Sequence, residues 1–80
     1  MQIHVPTREQ VAGLINEYFT GAPGNTEIDE VATFRHNHEP ITSFVCVKLG
    51  FVYAGEWEPG MTYGAFIDEI IQLATEESAN

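Results

Sequence analysis

Cations are scarce in this chain. Three basic residues, Arg8, Arg35 and Lys48, stand against twelve Asp and Glu, for a formal net charge of −9. Affinity for a phosphate backbone comes from Lys and Arg displacing condensed counterions. Three scattered cations among twelve anions do not supply it, which excludes direct binding of nucleic acid. The same balance argues against anionic membrane surfaces. It suits a basic protein partner, or simple solubility.

Cysteine is nearly absent too. The lone Cys46 excludes an internal disulfide and any zinc site built from several thiolates. A free thiol fits a reducing compartment. No apolar run approaches the ~20 residues that a membrane span needs. The longest, Phe44 to Ala54, is interrupted by Lys48 and Gly50. The opening MQIHVPTREQ lacks a basic start followed by an apolar stretch, so no targeting segment is read there and the expected location is the cytoplasm. No GxSxG, P-loop, GxGxxG or HExxH spacing occurs. Neither a cofactor nor an enzymatic activity is expected.

What the chain does have is apolar mass. Hydrophobic residues make up 44%, including five Phe, three Tyr and one Trp. That is enough for a packed core in one compact domain over residues 1–80, although a chain this short buries only about 60–65% of its unfolded surface.

The segment 7–20 carries the clearest helix signal. Thr7 and Gln10 form a capping box, and Val11, Leu14, Ile15, Tyr18 and Phe19 recur on one face. Gly21 stands where a left-handed cap belongs. A second helix runs from a Thr62 cap to about Glu76. Its apolar face is Tyr63, Phe66, Ile67, Ile70, Ile71 and Ala74.

Between them, Glu27–His36, Ile41–Leu49 and Phe51–Trp57 read as strands on β-branched and aromatic content. Asn37–Pro40 is a turn, and Gly50 either turns the chain or kinks one long strand. Pairing residue 36 with residue 41 sets Asp29 opposite Lys48. Ile28, Ala32, Phe34, Ile41, Val45, Val47 and Leu49 then share the core face. Val31, Phe44 and Cys46 form an apolar stripe on the other. The expected fold class is α+β, a two-layer helix – three-stranded antiparallel sheet – helix.

Candidate chemistry is sparse. His36 and His38, two apart on a strand, point the same way, but Glu39 points elsewhere and Cys46 lies on the opposite face. A catalytic zinc usually needs three protein ligands, so no metal is expected. Cys46 between two valines reads as a small buried hydrophobe.

The acidic pairs carry more. Asp68/Glu69 and Glu76/Glu77 line the outer face of the second helix, and Glu56 and Glu58 add to the excess. Side chains four apart on a helix lie roughly 6 Å apart. A carboxylate row at that interval imitates a row of phosphates. Together with Phe44 on the sheet, these six acidic residues are the candidate partner-binding set.

In size and charge, over the whole chain, the sequence resembles the small acidic inhibitors that phages encode, such as anti-CRISPR proteins and DNA mimics. Those share no motif, so no residue role carries over. The resemblance implies a non-enzymatic viral protein-binding module that blocks a basic, nucleic-acid-handling protein. The alternative expectation is a small interaction domain that homodimerises through its sheet face.

Overall fold

A computed structural model describes residues 5–21, 28–35, 37–52 and 60–78. The described residues form three helices: α1, Arg8–Thr20; α2, Glu39–Leu49; and α3, Tyr63–Ser78.

Helix α1 starts as its sequence dictates. Thr7 accepts from the Gln10 N–H at 3.2 Å while the Gln10 side chain accepts from the Thr7 N–H at 2.8 Å. Gly21 ends it at φ 80, its N–H donating to Glu17 O at 2.7 Å. A left-handed residue there is cheap only for glycine. Helix α3 also starts on its expected cap: Thr62 Oγ1 accepts from the Ala65 N–H at 3.1 Å.

Helix α2 overturns the expected sheet. Residues 41–49 are helical, and no strand occurs among the described residues, so the fold is all-α rather than α+β. The local reasons are visible at both ends. Asn37 Oδ1 accepts from the Glu39 N–H at 2.8 Å, and Pro40 occupies the first turn, where its missing N–H costs nothing. Glu39 and Lys48 sit at the ends where the helix dipole favours them. Gly50, at φ 98, is the C-cap. Its N–H reaches Val47 O at 3.0 Å and the Phe51 N–H reaches Cys46 O at 3.0 Å, the paired bonds of a Schellman motif.

The helical period redistributes the side chains of 41–49. Ile41, Thr42, Val45 and Cys46 are buried, whereas Val47, expected in the core, is 60% exposed. The apolar stripe of Val31, Phe44 and Cys46 does not exist: Val31 is 82% exposed, Cys46 is fully buried, and Phe44 is half-buried. Lys48 pairs with Glu17, not Asp29, at 3.7 Å. The sheet face through which a homodimer was expected does not occur among the described residues.

Residues 28–35 are not a strand of a hairpin with 41–49. They cross the start of α3 instead. Thr33 and Thr62 form an isolated antiparallel bridge. Tyr63 donates to Ala32 O and Gly64 to Glu30 O, both at 2.9 Å. Two N–H groups of the first turn, which no helix satisfies internally, are thus met by this strap. A Cβ at Gly64 would lie 3.1 Å from both Glu30 Cβ and Glu30 O, so a side chain there would make the strap give by a few tenths of an ångström. Of the expected third strand, Phe51 is buried and Val52 is 86% exposed, and neither is in a strand. Residues 53–57 lie outside the described set.

Helix α1 packs against both α2 and α3. The core joins Val11, Ala12 and Ile15 of α1, Ile41, Val45 and Cys46 of α2, and Phe66, Ile67, Ile70 and Ala74 of α3. Phe34 from the strap and Phe51 after α2 close it.

Candidate functional site

The acidic residues come first, because the sequence points to them. Asp68 opens the outer face of α3, and its side chain is 69% exposed, but it is not available as a bare charge. Arg8 bridges it to Glu30, with one guanidinium nitrogen on each carboxylate. Those two hydrogen bonds, Glu30 before Asp68, push the Arg8 pKa above its ordinary value. Glu69 is half-buried and leans its charge on Cys46, whereas Glu76 and Glu77 are exposed. The face that continues from Asp68 therefore runs through neutral Gln72 to Glu76. A continuous carboxylate row is absent from it. Glu56 and Glu58 lie outside the described residues.

Phe44 is held on the flank of α2. Its ring meets Tyr18 edge-on at 5.5 Å, and Lys48 Nζ stands 5.5 Å from its centroid. Lys48 is thereby engaged twice, with Glu17 and with the ring.

The expected histidine pair does not form a shared face. His36 lies outside the described residues. His38 is only 4% exposed and is turned inward, with ring centroids 5.1 Å from Phe34 and 5.8 Å from Phe66. Thr42 Oγ1 donates to His38 O at 2.8 Å and lies 3.2 Å from His38 Nδ1. The single hydroxyl proton is committed to the carbonyl, so Nδ1 is the donor in the second contact. Among the described residues, no group of three or more His, Cys, Asp or Glu is placed to hold a metal. Cys46 is fully buried, and burial, with a smaller push from Glu69, raises its pKa to about 11. A thiol that stays protonated is a poor nucleophile.

Sequence reasoning missed a groove. Its volume is about 490 Å³. Phe34, His38 and Ile41 form its buried floor, with the Tyr63 ring tilted 40° against Phe34 at 4.3 Å between ring centroids. Tyr18 and Phe19, in the last turn of α1, form one wall and are 39% and 58% exposed. Arg35, exposed on the strap, stands at the edge. The aromatic residues were legible, but their convergence depends on the strap crossing α3.

Comparison with protein families, with curated proteins and with solved structures returned no match. No helix among the described residues is long and apolar enough to cross a membrane.

Proposed function

We propose that this protein is a non-enzymatic, acidic protein-binding module that docks on the basic face of a nucleic-acid-handling partner and blocks it. One observation carries the reading. Two of its three cations are neutralised on its own surface, Arg8 by Glu30 and Asp68, and Lys48 by Glu17. Glu9, Asp29, Glu39, Glu76 and Glu77 remain exposed without an ion-pair partner among the described residues. The charge offered to a partner is thus almost purely negative, whereas solubility requires only mixed charge.

Charge of one sign acts chiefly on encounter. Opposite fields steer association, and added salt slows it steeply. The test uses Glu76→Gln and Glu77→Gln together, which keep size and helix shape and leave the Arg8 bridge intact. The partner is first captured from host lysate on immobilised protein. Association of the double variant is expected to slow several-fold at low salt, with dissociation little changed. An unchanged association rate rejects the acidic surface as the docking face.

A further inference from the structure

We propose that the groove between the end of α1, the strap and the start of α3 binds a small apolar carboxylate. The ring or chain of the ligand lies on Phe34 and Tyr63, and its carboxylate pairs with Arg35.

The argument begins with charge. Nine of the chain's twelve acidic residues are among those described, and none of the nine lines this groove, whereas Arg35 does. Arg35 is also the cation that no carboxylate engages among the described residues, since Arg8 and Lys48 are both held in ion pairs. In so acidic a protein, an arginine that none of the described carboxylates engages, beside a hollow that none of them lines, is complementary to an anion. A guanidinium presents a planar fork that matches the two oxygens of a carboxylate. The overall charge of −9 does not forbid this. At physiological salt, charges more than about 8 Å away are largely screened, so the local cation dominates.

Shape and lining define the rest of the ligand. A volume of about 490 Å³ falls within the range of small-molecule sites, roughly 300–1,000 Å³. Phe34 and Tyr63 present two rings tilted against each other, and Phe19, at 58% exposure, supplies an apolar wall in contact with water. Covering such a surface with an apolar body is favourable, and aromatic rings add offset or edge-on contacts. The ligand class is a short-chain or aryl acid rather than a sugar or a nucleotide. This proposal is independent of the acidic docking surface and involves none of its residues.

The experiment titrates the whole protein with 3-phenylpropionate and with octanoate at millimolar concentrations. Proton–nitrogen correlation spectra are the readout, and the matched primary amides serve as neutral controls. Both acids are expected to shift the amide signals of Phe34, Arg35 and Tyr63, and to bind about tenfold more tightly than their amides. Arg35→Gln is expected to remove that preference while circular dichroism stays unchanged, because the side chain is exposed and forms no ion pair among the described residues. Phe19→Ser is expected to weaken acid and amide alike by several-fold. Equal binding of acid and amide, an unaltered preference in Arg35→Gln, or no groove shifts with either acid would overturn the proposal. A tripeptide ending in Phe that binds more than tenfold tighter than both acids would overturn it too, by assigning the groove to a peptide C-terminus.

Discussion

Cys46 shows how far a single position depends on its surroundings. In a strand its thiol would face out beside Phe44; in α2 it is fully buried against the core, with its pKa raised to about 11 from an ordinary 9.0. The sign of the linkage follows. Between those two values the unfolded chain loses the thiol proton and the folded chain keeps it, so stability falls as pH rises through the window. Below pH 9 the group adds no slope. Urea midpoints at pH 8.5 and 10.5 are expected to drop more for the wild type than for Cys46→Ala. The difference should be on the order of 2 kcal/mol. Equal drops would mean that the thiol ionises as freely in the fold as in water. The same burial predicts that a thiol reagent modifies the native protein only as fast as the structure opens.

Helix α2 is the element on which the fold class turned. Its β-branched residues favour extended backbone by only a few tenths of a kcal/mol each. Burying Ile41 and Val45 contributes about 1.5–3 kcal/mol apiece. Thr42 shows how a polar residue is carried into that interface: its hydroxyl donates to the carbonyl four residues earlier, a bond that an extended chain does not offer. Val45 and Val47 discriminate the two structures. A strand puts them on one face, whereas the helix buries the first completely and leaves the second 60% exposed. Val45→Ala is expected to cost about 2 kcal/mol in urea unfolding. Val47→Ala should change stability by no more than about 0.5 kcal/mol. Comparable losses at both positions would restore the strand.

Across the whole molecule, the surface field is set by which charges remain unpaired. Arg8 and Lys48 are tied to carboxylates, so a phosphate backbone meets Arg35 and a surplus of acid. No shift of duplex DNA or RNA is expected in a mobility assay at micromolar protein and physiological salt. A salt-sensitive shift would contradict this account of the surface. The groove belongs to the same scale. Its wall, floor and cation come from residues 18–19, 34–35, 38, 41 and 63, which only the folded chain brings together.

Devices that act within a few residues were legible in the sequence. The Thr7–Gln10 box, the Gly21 cap and the Thr62 cap are hydrogen bonds between near neighbours, so composition and spacing specify them. The apolar stripes of α1 and α3 were legible for the same reason, being long enough for the helical period to repeat. One stripe still misled at its end, because Tyr18 and Phe19 continue the pattern of α1 while facing the groove rather than the core. The overall excess of acid was also plain. That Arg8 joins Glu30 to Asp68 was not, since those residues are far apart along the chain. An 11-residue segment such as α2 satisfies strand and helix alike, because its local preferences differ by less than the gain from burial. Asn37, Pro40 and Gly50 were compatible with a turn and a kink, and equally with the two ends of a helix. Those end signals together with packing, which buries Ile41, Val45 and Cys46 in one core, settle the segment as a helix.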